Sequence, residues 1–252
     1  MKARHVPLIA SAIFGLLCIP AGADTASDLG DAAARIQYAF YTQDARALAE
    51  GLALISQLDA MALAPGIQEY NAAYGQWKLA QIHAEPTAAA KPLNPGASNK
   101  AAQECVRQAK AARTRDPRMA EAYAIEAVCS AFGSTVLASG CAGKPLRTAR
   151  ELDSRNPRIR LIELLCAEKG EGGSVAYAQK LRDLVGDFET APPASPGEPD
   201  WGQAEALVLL GWSTLQRGDA RGARDIVERA LVIAPDYRKA QELLQATATR
   251  PK

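Results

Sequence analysis

The chain has 252 residues, long enough for one large domain or two small ones, and its 29 basic and 28 acidic side chains give no global drive toward nucleic acid or a membrane surface. Aromatic residues make up only 6 % and hydrophobic residues 48 %, with Ala abundant and strand-like alternation nearly absent, a composition that favours helices packed through small side chains. Charge is uneven: residues 24–99 carry four basic and eight acidic side chains, 100–160 twelve and six, and 161–200 three and eight, which fits solvated helix faces and admits a basic stripe over 100–160.

Lys2, Arg4 and His5 precede the apolar run Val6 to Ile19 and the small residues Ala21-Gly22-Ala23. That is the order of a secretory signal peptide over 1–23, cleaved at about Ala23. A run of about 14 apolar residues is short for a bilayer, and no other stretch nears ~18, so the chain from Asp24 is expected to be exported, periplasmic or secreted, without stable membrane insertion.

Asp28 or Asp31 can cap a first helix that carries Ile36, Ala39 and Phe40 on one face. Gln43-Asp44 opens a second, with Leu48, Leu52, Ile55 and Leu58 at helical spacing, and Pro65-Gly66 ends that hairpin. A third helix is expected from Ile67 to His83. Residues 84–99 hold three prolines and no period, so they read as a loop, with Asn99 capping a helix from Lys100 to about Arg115. Arg115-Asp116-Pro117-Arg118 returns as Arg155-Asn156-Pro157-Arg158, and Pro235-Asp236 follows; each marks a place where one helix ends and another begins. The helices so opened cover about 118–132, 158–169 and 236–248, with others over 144–154 and 175–188 between them. A proline-rich spacer at 190–200 separates a repeat region over 24–189 from residues 201–252, which either continue the same stack or form a small second lobe.

The clearest helical pair is AEALVLLGWSTLQRGDARGARDIVERALVIAP, from Ala204 to Pro235. Two apolar-periodic segments flank the turn Arg217-Gly218-Asp219, and the small residues Gly211, Ala223 and Ala230 permit close approach of antiparallel helices. With Leu207, Leu210 and Pro235, these residues fall on the marker positions of the tetratricopeptide repeat, which the segment resembles; Thr214 and Val227 stand where that family often has aromatics. The resemblance, extended by the proline junctions, implies an all-α, right-handed α-solenoid of about five helix–turn–helix repeats with a C-terminal capping helix. It also implies a concave groove for a protein or peptide partner, whose variable positions fall here on Glu205, Val208, Trp212, Leu215 and Gln216. Among these Trp212 is the natural anchor.

Four cysteines remain after the signal segment, Cys105, Cys129, Cys141 and Cys166. In antiparallel helices folded at the Asp116-Pro117 turn, Cys105 and Cys129 come level, and Cys141 and Cys166 flank the Asn156-Pro157 turn in a similar manner. The expected disulfides are therefore 105–129 and 141–166, the alternative being a set containing 129–141. The cysteine spacings and His83, the sole histidine after the signal segment, offer no metal-ligand cluster. Gly211-Trp212-Ser213-Thr214 lacks a nucleophile elbow, and Gly170-Glu171-Gly172-Gly173 lacks the strand and Gly-Lys-Ser/Thr of a phosphate loop. The expected function is accordingly a scaffold or adaptor without catalytic residues or cofactor. One alternative is a subunit permanently assembled in a cell-envelope complex. Another is a small enzyme beside the 84–99 loop that uses His83, Tyr74 or Glu85.

Overall fold

The computed structural model describes residues 21–85, 94–132, 143–171, 173–192, 194 and 198–249. Within these the chain is all-helical, with no strand. The helices are α1 (Ala21–Thr42), α2 (Ala45–Gln57), α3 (Ile67–Ala84), α4 (Pro95–Arg115), α5 (Ala120–Ala131), α6 (Lys144–Leu152), α7 (Pro157–Glu171), α8 (Val175–Thr190), α9 (Gln203–Gln216), α10 (Ala220–Ile233) and α11 (Arg238–Thr249). None of the described helices is long and apolar enough to cross a membrane. Most of the expected signal segment lies outside the described residues, as does Cys141.

Local chemistry fixes the helix starts. Asp44 caps α2 by accepting from the amides of Arg46 and Ala47, and Ser174 and Asp219 cap α8 and α10 in the same way. The expected loop over 84–99 is shorter than its prolines imply. Asn94 rather than Asn99 is the cap, accepting from the amide of Ala97, and α4 starts at Pro95 because proline suits a first turn where no backbone donor is needed. Asn156 accepts from the amide of Arg158 at 2.9 Å and α7 opens at Pro157, whereas at the matching Asp116-Pro117 site α5 begins only at Ala120.

Each helix packs on its neighbour in sequence across most of the chain, and α1 also packs on α3, α3 on α5, α5 on α7 and α9 on α11. The odd-numbered helices thus share an inner layer. Burial follows this division. α3, α5 and α9 are buried on nearly every side, while α2 buries only Leu48, Gly51 and Ile55, and α10 only Ala223, Val227 and Ala230. The α9–α10 crossing is as close as the small residues suggest: a Cβ added at Gly211 would stand 2.6 Å from Val227 Cγ2. First and last helices also meet. α1 packs on α11, with the Tyr41 and Tyr237 rings 4.5 Å apart, and one buried cluster runs from Leu29 to Leu243.

Cys105 and Cys129 are joined by a disulfide that ties α4 to α5, with Cα atoms 6.1 Å apart. Cys166 is also disulfide-bonded. Several cations of the basic stretch are paired with carboxylates on adjacent helices: Arg113 with Glu126, Arg115 with Glu69, Arg150 with Glu163 and Arg158 with Glu121. These contacts pair part of the basic stretch with the protein's own acidic side chains.

Candidate functional site

The face shared by the odd helices is filled by the chain itself. α1 supplies Phe40 and Tyr41, α3 supplies Tyr70, Tyr74, Trp77 and Lys78, and Trp201, Glu205 and Tyr237 arrive from the entries of α9 and α11. Lys78 is only 2 % exposed. Its Nζ lies 4.0 Å from the Trp77 ring centroid and 4.3 Å from that of Phe40, where the negative ring faces attract a cation. Glu205 Oε1 stands 3.4 Å from the same ammonium. The other oxygen of Glu205 accepts from the Tyr41 hydroxyl at 3.0 Å and from the Gly202 amide at 3.2 Å. Gly202 has a φ of 114°, and a Cβ there would stand 2.6 Å from Phe188 Cζ, so the turn that aims Glu205 inward depends on glycine.

A parallel network lies beside it. Glu121, on α5, accepts from the Tyr70 hydroxyl, from Asn156 Nδ2 at 2.8 Å and from Arg158 Nε at 2.8 Å. Trp201 Nε1 donates to the Tyr70 hydroxyl at 2.8 Å, and its ring stacks on Tyr74 with centroids 5.1 Å apart. Two carboxylates therefore tie five of the six inner helices, α1, α3, α5, α7 and α9, and the residues just before α9 into one network.

Burial lowers the Lys78 ammonium to about 8, with Glu205 opposing the fall. Burial likewise pushes the hydroxyls of Tyr41, Tyr70, Tyr74 and Tyr237 well above their ordinary range. In the unfolded chain Lys78 titrates at its ordinary 10.5, so between that value and 8 the unfolded state binds more protons and stability rises with pH. The expected gain is about 2 kcal/mol from pH 7 to 10 at ~1.4 kcal/mol per pKa unit. Above pH ~10 the unfolded tyrosines lose protons that the folded ones retain, and stability falls again. Urea unfolding at a series of pH values checks this, and Lys78→Met is expected to remove the rise; a flat profile for the wild type from pH 8 to 10 contradicts the assignment.

The five expected groove residues part company. Glu205 and Leu215 are buried at 8 % and 4 % exposure, which corrects their expected role as partner contacts: the first serves the interior ion pair, the second the core. Val208 and Trp212 are half-buried and line a small pocket, and Gln216 is exposed. Trp201 covers Tyr74 and Trp77. The residues of the alternative enzyme site are not assembled either. Tyr74 faces the interior, Glu85 pairs with Lys239, and His83 is nine residues beyond Tyr74, about 13 Å along the same helix. Among the described residues no group of three His, Cys, Asp or Glu side chains could hold a metal ion.

A larger concavity lies elsewhere, where the ends of α1 and α8 face the entries to α7, α9 and α11. It is a cleft of ≈ 1220 Å³, and Tyr38, Tyr41, Trp201 and Ile233 give it an apolar lining. Asp153, Asp187, Glu189, Glu198, Asp200 and Asp236 line it together with two cations, Arg155 and Arg158, and of these carboxylates Asp187 and Glu189 are ion-paired with Arg160 and Arg229. Arg158 is taken up by Glu121, and Asp236 accepts from the Tyr38 hydroxyl at 3.1 Å. Of seven large hydrophobic side chains exposed among the described residues, Tyr38 (57 %) and Ile233 (46 %) line this cleft, and Leu152 and Val232 each adjoin a lining residue in sequence. Sequence reasoning missed this surface because its parts lie far apart in the chain; the available signal was the acidic excess over 161–200.

No family model matches the chain, and no curated protein matches it. Among solved structures it is similar to residues 1–338 of Acl4, the assembly chaperone of RpL4, at 13 % identity, with 88 % of this chain and 82 % of that one covered and a TM-score of 0.39.

Proposed function

We propose that this chain is an exported, tetratricopeptide-like scaffold, a right-handed solenoid of about five helical hairpins with a closing helix, that binds a protein partner and performs no chemistry. The alternation of inner and outer helices, the proline entries at Pro117 and Pro157 and the close α9–α10 crossing support the repeat reading. A concave groove of the usual kind is not available to a partner, since the interior cluster occupies it. The docking face we assign is the acidic cleft between α1 and the entries of α7, α9 and α11. The observation that carries this is the gathering of exposed apolar side chains within a rim of carboxylates. Its occupant is a segment with basic and large apolar side chains, such as a cationic amphipathic helix.

Calorimetry with a designed Lys/Leu amphipathic helix and its Glu/Leu counterpart tests the assignment. The basic peptide is expected to bind, more weakly at high salt. Ile233→Asp is expected to weaken it at least ten-fold, about 1.4 kcal/mol or more, while Val175→Asp, on the exposed N-terminal turn of α8, leaves it unchanged. Equal binding of the two peptides, or no effect of Ile233→Asp, sinks the docking assignment. Export is supported by the Cys105–Cys129 disulfide, which persists in an oxidising compartment. The intact mass of the protein recovered from a periplasmic extract is expected to correspond to a chain starting at Asp24; recovery of the chain from Met1 there contradicts it.

A further inference from the structure

A second cavity of ≈ 260 Å³ adjoins the interior cluster between α3, α7, α9 and α11 and shares no lining residue with the acidic cleft. Leu161, Leu165, Leu209, Leu243 and Trp212 give it an apolar wall. Its charges cancel, since Lys78 pairs with Glu205 and Lys239 with Glu85. A charged head entering this wall would be buried without a counter-charge, which is costly. Two polar atoms of the lining residues are buried without a hydrogen-bond partner, Glu205 Oε1 and Gln81 Oε1, and both are acceptors. Glu205 Oε1 stands 3.4 Å from the Lys78 ammonium, beyond the ~2.7–2.9 Å of a charge-assisted hydrogen bond, while Tyr41 and the Gly202 amide engage Oε2. Gln81 follows Lys78 by three residues on α3, so the two share a helix face. A buried acceptor left unpaired is costly, and a ligand that supplies its donor recovers that cost.

We propose that this cavity binds a neutral amphiphile with a vicinal diol head, of the kind a glycerol group presents, and a short aliphatic tail along the leucines and Trp212. One hydroxyl donates to Glu205 Oε1, the stronger acceptor because it is charged, and the other to Gln81 Oε1. A hydroxyl oxygen also accepts, so the head takes a hydrogen bond from the Lys78 ammonium as well. A carboxylate head has no proton to donate at neutral pH, and an ammonium head would face two lysines. The volume matches the whole ligand: at ~30 Å³ for each water-sized group, the cavity takes about eight or nine, the size of heptane-1,2-diol. The cavity is separate from the acidic cleft, so failure here leaves the protein-docking reading untouched.

Titration of the purified protein with heptane-1,2-diol, heptan-1-ol, heptanoate and heptylammonium at neutral pH tests the proposal. Calorimetry and tryptophan emission report binding, because Trp212 lines the cavity. The diol is expected to saturate, with heptan-1-ol roughly ten-fold weaker and the two charged ligands weaker still. Gln81→Met, which removes the second acceptor at nearly constant size, is expected to bring the diol down to the level of heptan-1-ol and to leave heptan-1-ol unchanged. Val208→Trp, which fills the cavity from α9, is expected to abolish binding of both, with near-UV circular dichroism reporting on the fold. Heptan-1-ol or heptanoate matching the diol, absence of saturation, or undiminished diol binding by either variant overturns the proposal.

Discussion

Replacing Glu205 with Ala is expected to cost about 3–5 kcal/mol of folding stability, because it leaves the Lys78 ammonium buried without its counter-charge. The same change removes the acceptor of the Tyr41 hydroxyl and the side-chain cap on Gly202. A substitution chosen to disturb a peptide groove at this position, such as Glu205→Lys, would place two buried cations together and unfold the protein instead. Urea denaturation of Glu205→Ala measures the loss. In a Lys78→Met background the charge to be compensated is absent, and the cost of Glu205→Ala is expected to fall by about 2 kcal/mol, within the range seen for directly coupled residues. An equal cost in both backgrounds means that Glu205 acts only as a cap, and the interior ion pair then contributes nothing.

Why this pair was invisible in the sequence has a physical reason. Helix caps, proline entries and the α9–α10 crossing depend on residues within one hairpin, so Asp44, Pro157 and Gly211 announce them locally. Even the Cys105–Cys129 link is nearly local, because a single turn between α4 and α5 sets its register. The interior depends on contacts such as Tyr41 to Glu205, 164 residues apart, and Trp201 to Tyr70, 131 apart. No helical period encodes which distant helices meet. α9 did carry a clue, since it is apolar around most of its circumference, the pattern of a helix buried on every side. A lone Glu205 within such a helix points to an interior partner, and Lys78 is its counter-charge. Reading Glu205 as a groove position used its place in one repeat and ignored that surrounding.

The asymmetry between inner and outer layers bears on where a partner can dock. Inner helices spend their aromatic and charged side chains on one another, which fixes their mutual positions at many points. Exposed apolar side chains are left at the ends of elements, as with Tyr38 near the end of α1 and Ile233 at the end of α10.

Removing the Cys105–Cys129 disulfide is expected to cost about 3–4 kcal/mol, the loop-entropy value for a closed loop of this size, and to lower Tm by about 6–16 °C. The bond spans 24 residues and joins helices that are also held by the Arg113–Glu126 pair and by buried Ala109 and Ala112. The folded arrangement of α4 and α5 therefore does not depend on it. The loss arises chiefly in the unfolded chain, which gains freedom when the loop is opened. Chemical reduction is the wrong test, because Cys166 is disulfide-bonded as well and both effects would be read together. The Cys105→Ala/Cys129→Val variant isolates this bond at nearly constant buried volume. Its far-UV circular dichroism is expected to match the wild type, with a lower urea midpoint and a larger m-value, since a less constrained unfolded chain exposes more surface. A midpoint shift worth less than about 1 kcal/mol with an unchanged m-value would assign the stability of the α4–α5 pair to helix packing and leave the disulfide without a constraining role.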